Sequence, residues 1–138
     1  MSGGKPGEFD SEGLARRLCG IADSKGATEI VALDMRGLVS YTDYLAICTA
    51  RNERQARAIV DEVRLKLKNE DGLLPGGTDG EGAAGWIVLD FLDAVLHVFT
   101  DEARRRYQLE DLWREAPKLD LPFAQDDVRR HLYGAAHG

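Results

Sequence analysis

A chain of 138 residues suits one domain and can bury a hydrophobic core without disulfide or metal staples. A net charge of −6 and a pI near 5.0 argue against broad, non-specific binding to phosphate backbones and make a basic protein surface the natural partner. No apolar run approaches the roughly 20 residues needed to span a bilayer, so no membrane partner is expected. Residues 1–10 carry no signal peptide, and two cysteines without metal-ligand spacing, Cys19 and Cys48, read as reduced thiols of a cytosolic protein.

The polar, Gly-rich stretch 1–10 reads as disordered. From Ser11, a plausible N-cap, Leu14, Leu18, Ile21 and Ala22 recur on one helical face, and Gly26 stands where a C-cap would be. Thr28 to Leu33 is short, apolar and β-branched and reads as a strand. Arg36-Gly37 reads as a turn and Asp43 to Thr49 as a second strand, with Cys48 a small core residue.

Asn52 can cap a second helix, whose stripe is Ala56, Ile59, Val60, Val63 and Leu67. Glu53 with Arg57 and Glu62 with Lys66 stand four apart on its outer face. Such pairs contribute about 0.2–0.5 kcal/mol each, so the stripe decides the helix. Six glycines and Pro75 make Asp71 to Gly85 a loop, with room for a short strand near its start. Trp86 to Asp90 and Ala94 to Phe99 read as the third and fourth strands. Thr100 caps a third helix with Asp101 and Glu102 in its first turn; Tyr107, Leu112 and Trp113 carry it, or a second short helix, onto the core. Pro117 and Pro122 break the chain, and Ala124 to Tyr133 can form a terminal helix. The order helix, two strands, helix, two strands, helix implies an α/β single domain: a mixed β-sheet flanked by helices.

Several segments resemble one family. Thr42-Asp43-Tyr44 leading to Ile47-Cys48-Thr49, then Glu53-Arg54-Gln55, is similar to its second strand and following helix start. Gly80-Glu81, Trp86-Ile87-Val88-Leu89-Asp90, Asp93 and Val95-Leu96-His97-Val98-Phe99 resemble its most recognisable stretch. Arg105, Tyr107, Leu109-Glu110 and Leu112-Trp113 look like its closing motif. The family is the ribosomal silencing factors, or Iojap proteins. The resemblance covers residues 11–116 as the family domain and leaves 117–138 as a C-terminal extension. It implies a nucleotidyltransferase-like fold without the catalytic motif. It also implies a translational repressor that needs no cofactor and binds the large ribosomal subunit through ribosomal protein L-fourteen, blocking small-subunit association sterically. Help in large-subunit biogenesis, and a homodimer when free, are further implications. The chain departs from the family pattern in three places. Leu92 stands where glycine is usual before the hairpin Asp, so the turn is expected to differ from the tight primed type. Ala50 and Arg51 replace small residues before the second helix. The extension exceeds what the family requires.

Strand alternation puts Ile87, Leu89, Leu96 and Val98 on one sheet face and Trp86, Val88, Asp90, Val95, His97 and Phe99 on the other. That second face can be covered by the chain's own helix or by a partner. The candidate partner-binding residues are Glu81, Trp86, Asp90, Asp93, His97 and Tyr107. Asp90 and Asp93 could instead serve as acid, base or metal ligands in a nucleotidyltransferase-like enzyme. The commoner role for Asp near a turn is to bond turn amides, and neither an Asp-x-Asp pair nor a Gly-Ser helix start is present. His97 has no nearby His or Cys, which favours a structural or contact role over a metal ligand. Arg104-Arg105-Arg106 reads as a solvated helix face or as a minor contact to ribosomal RNA phosphate.

Overall fold

The computed structural model describes residues 10–79 and 85–123. The first helix, α1, spans Ser11–Ser24 and buries the predicted face together with Ala15 and Cys19. Its N-cap is Asp10 rather than Ser11: the Asp10 carboxylate accepts from Gly13 N at 2.7 Å. A carboxylate suits the positive end of a helix better than a hydroxyl. Lys25 closes the helix and Gly26, at φ 84°, turns the chain left-handed beyond it.

Strands β1 (Thr28–Asp34) and β2 (Tyr44–Ala50) pair antiparallel, with a bulge between Thr28 and Val31. Helix α2, Glu53–Asp71, is capped by Asn52, whose side chain accepts from Gln55 N at 2.8 Å, and closes on Gly72 at φ 66°. The predicted stripe is buried along it. Of the two expected outer-face pairs, Lys66–Glu62 forms at 3.5 Å, whereas no ion pair joins Glu53 to Arg57. A short β3 (Gly77–Asp79) lies midway through the expected loop. Then come β4 (Trp86–Asp90), β5 (Ala94–Thr100), α3 (Asp101–Tyr107) and a single turn, α4 (Leu109–Leu112). The sheet order is β1-β2-β5-β4-β3. Its one parallel pairing, β2 with β5, makes it mixed, as predicted. The central β2 is buried along its whole length, as its continuous apolar run requires.

The two faces separate as alternation predicts. Ile87, Leu89, Leu96 and Val98 join the core beneath α1 and α2. Val95 and Phe99 belong to a second, smaller core with Leu33, Met35, Leu45, Ile47 and Ala103, and Trp86 and Val88 are packed at its margin.

As expected, the β4–β5 turn departs from the primed type: Leu92 takes φ 71° at the centre of a three-residue turn. Phe91 N donates to Ala94 O at 3.0 Å, Asp93 N to Phe91 O at 2.9 Å, and Leu92 N to Asp90 Oδ1 at 2.8 Å. These bonds offset the cost of a left-handed leucine, and its side chain stays in solvent at 67 % exposure. The chain after Ala116 continues the packed body as far as Phe123. Asp34 N donates to Pro117 O at 2.8 Å and Leu119 N to Ala32 O at 2.9 Å, strapping the outer edge of β1. Leu121 is buried in the main core, with Leu119 and Phe123 packed on it. Of the stretch 1–10 expected to be disordered, Asp10 is ordered as the α1 cap, while residues 1–9 and the expected terminal helix over 124–133 lie outside the described residues.

Candidate functional site

Alternation aims Trp86 from β4 and His97 and Phe99 from β5 out of the same sheet face, and register sets Trp86 opposite Phe99 and Val88 opposite His97. The Trp86 and Phe99 rings stack with centroids 5.0 Å apart. Trp86 Nε1 donates to His97 Nδ1 at 3.0 Å, so the indole has its partner within the chain and the imidazole keeps its proton on Nε2. Burial pushes the His97 pKa down to about 4, which holds the ring neutral. Tyr107, at the end of α3, lies against Trp86 at 4.7 Å and against Phe99 at 6.1 Å. Phe99 is buried, Trp86 and His97 are half-buried, and Tyr107 is 42 % exposed, so the cluster has a closed floor and an open rim.

The predicted site residues are thus only partly brought together. Trp86, His97 and Tyr107 form one cluster. Asp90 shares their sheet face but stands four residues along β4 from Trp86, about 13 Å away. Its carboxylate accepts from the turn amide of Leu92, the structural role open to it from sequence. Asp93 is exposed on the turn itself, and its carbonyl receives both Asp43 N and Tyr44 N at 3.2 Å. Glu81 lies outside the described residues. Among the described residues, no group of three or more His, Cys, Asp and Glu could hold a metal ion.

The basic run on α3 divides: Arg105 and Arg106 lie on a solvated face, each ion-paired, whereas Arg104 turns inward. Arg104 is buried: Nε and Nη2 donate to the two Glu110 oxygens at 3.0 and 2.8 Å, and Nη1 to Thr49 Oγ1 at 2.8 Å. Burial would raise the Glu110 pKa, but the Arg104 bonds outweigh it and hold the carboxyl below its usual range. Arg105 bridges Glu29 at 2.8 Å and Asp101 at 2.9 Å, while Arg106 reaches Glu102 at 3.5 Å. The Arg104 pairing was invisible in sequence because Glu110 lies six residues on, a spacing no regular helix brings together. Beside this network, between β1 and the α3–α4 turn, a cavity of about 330 Å³ is lined by charges of both signs, among them Glu29, Arg105, Asp111 and Lys118.

A mixed sheet sealed by two helices on one face, and left half-open over an aromatic cluster on the other, defines a single-domain α/β protein. The chain belongs to the ribosomal silencing factor family, which includes the Iojap proteins: the family model described as "Ribosomal silencing factor during starvation" matches residues 8–136. It is 38% identical over 104 residues to the ribosomal silencing factor of Bacillus subtilis, covering 75% of this chain and 87% of that protein. It is 27% identical over 101 residues to a Mus musculus protein named for mitochondrial assembly of the ribosomal large subunit, covering 70% of this chain and 43% of that one. A crystal structure from Bacillus halodurans superposes with a TM-score of 0.68 at 34% identity, covering 80% of this chain and 99% of that one.

Proposed function

We propose that this protein is a non-enzymatic translational repressor of the cytoplasm. It docks on the large ribosomal subunit through ribosomal protein L-fourteen and blocks association with the small subunit by occupying the joining face. Family membership supports the silencing role, and the name of the mouse relative supports the large subunit as partner and a second role in its assembly. The observation that carries the docking reading is the half-open cluster of Trp86, His97 and Tyr107. It presents ring area to solvent while its inner polar atoms are satisfied within the chain. Such a surface gains apolar burial on binding without leaving the indole N–H unpaired. Asp90, committed to its turn, is poorly suited to acid–base work.

The test is sedimentation of the purified protein with large subunits, followed by subunit joining monitored by light scattering. Comigration with large subunits and suppressed joining are expected. Comigration with intact joined ribosomes, or magnesium-dependent turnover of a nucleoside triphosphate at a site containing Asp90, would overturn the reading.

A further inference from the structure

Carboxylates outnumber cations in this chain, 24 to 18, and most arginines of the described body are neutralised locally. Arg16 pairs with Glu12, Arg17 with Glu70 and Asp71, Arg36 with Asp34, and Arg104, Arg105 and Arg106 as described above. The N-terminal half of α2 breaks this pattern. Arg51, just ahead of the helix, and Arg54 and Arg57 within it are exposed, and among the described residues their side chains form no ion pair. Lys68, near the far end, is exposed and unpaired in the same sense. At 100° per residue, Arg54, Arg57, Arg64 and Lys68 fall within an arc of about 80° on the outer surface of α2. Asp61, 3.9 Å from Arg64, is the carboxylate inside that arc. Glu53, which the sequence would pair with Arg57, leaves it unpartnered.

We propose that this outer face of α2 binds a phosphate backbone, as a second contact surface on the sheet side opposite the aromatic cluster. From Arg54 to Lys68 the stripe is about 21 Å long, six 3.4 Å steps of one nucleic-acid strand, so a single strand can track it. Arginine, with its planar fork of donors, is the side chain best matched to phosphate oxygens. The surrounding acidity confines binding to this stripe and keeps it weak and salt-sensitive, consistent with a contact that supplements a protein–protein dock. An acidic protein would also be attracted, but cations strung along one helix face suit an extended polyanion better. That the polymer is ribosomal RNA rests on the ribosomal reading above; the phosphate chemistry does not.

The test uses the full chain and a variant carrying Arg54→Gln, Arg57→Gln and Lys68→Gln, exposed changes that keep good helix formers. Fluorescence anisotropy with a labelled RNA hairpin is read across a salt series, and binding to isolated protein L-fourteen is measured in parallel. The parent is expected to bind the hairpin at low salt. The variant should lose at least tenfold in affinity, and its slope of log affinity against log salt should be shallower by about 2–3. Its binding to protein L-fourteen should be unchanged. Equal RNA binding by both chains, or a parent that binds a polyglutamate peptide but no RNA, overturns the inference. If neither chain binds protein L-fourteen while the RNA difference persists, the phosphate site stands and the ribosomal reading falls.

Discussion

Gly85 holds the entrance to β4 in the one conformation that lets Trp86 meet its partners. It sits at φ 77°, and its carbonyl accepts from Thr100 N at 2.8 Å. A Cβ there would collide with Thr100 Oγ1 and come within 3.3 Å of Ala103 Cβ. Thr100 Oγ1 is also the acceptor that caps α3, from Ala103 N at 3.3 Å. Gly85→Ala therefore combines left-handed strain with a disturbed cap, and should cost about 3 kcal/mol in urea-unfolding measurements. His97 gives a second residue-level expectation. Unfolded, its imidazole titrates near its ordinary 6.5; burial lowers the folded value to about 4. Between these limits the unfolded chain holds the extra proton. Stability is thus full above pH 6.5 and falls as the pH drops toward 4, by at most about 1.4 kcal/mol per unit from this group. Comparing unfolding at about pH 7 and about pH 5.5 in the parent and in His97→Phe tests this: the variant should lose most of that slope. An unchanged slope would mean that His97 titrates normally.

At the scale of elements, periodicity made the helices and strands legible because each buries one face: the predicted stripes of α1 and α2 are buried, and the alternation of β4 and β5 sorts their apolar residues between the two cores. What sequence could not supply were features fixed by contacts distant along the chain. The carboxylate cap at Asp10 was missed for a more ordinary reason, the adjacent Ser11 also being of a cap-forming type. The left-handed Leu92 is imposed by β4–β5 register, since Asp90 opposite Val95 leaves too few residues for a wider turn. The strap at 117–119 has almost no periodicity of its own, and only the exposed edge of β1 explains its path. That strap yields a prediction. Leu121→Ala should cost about 2–3 kcal/mol, because the side chain is buried beneath the main core. Truncation after Ala116 should cost more, since it also removes Leu119, Phe123 and both edge hydrogen bonds. A chain ending at Phe123 keeps those contacts. Thermal denaturation of the three chains decides: equal midpoints for the Ala116 and Phe123 truncations would show the strap to be passive.

For the whole molecule, the division between a sealed and a half-open sheet face sets what binding can do. The aromatic cluster was only partly readable in sequence. Alternation placed Trp86, His97 and Phe99 together, but Tyr107 reached them through a helix whose approach depends on Gly85 and Thr100. Asp90 and Asp93 proved to lie at the far end of the same hairpin. A docking surface built this way should divide its labour. On the proposed docking reading Trp86 supplies the contact area, so Trp86→Ala should weaken binding to large subunits by about 2 kcal/mol or more, mainly through faster dissociation. On the same reading the turn carboxylates should act at longer range on a basic partner and govern approach. Asp90→Asn keeps the oxygen that accepts from Leu92 N while removing the charge, so it separates electrostatics from the turn. Combined with Asp93→Asn, it should slow association and flatten its dependence on salt, with dissociation nearly unchanged. Surface-captured large subunits, read at two salt concentrations, give both rates. If Trp86→Ala slows association instead, or the paired Asp changes speed dissociation while circular dichroism reports an intact fold, the division fails. The carboxylates would then have to sit inside the buried contact, and the partner would have to reach down the hairpin to its turn.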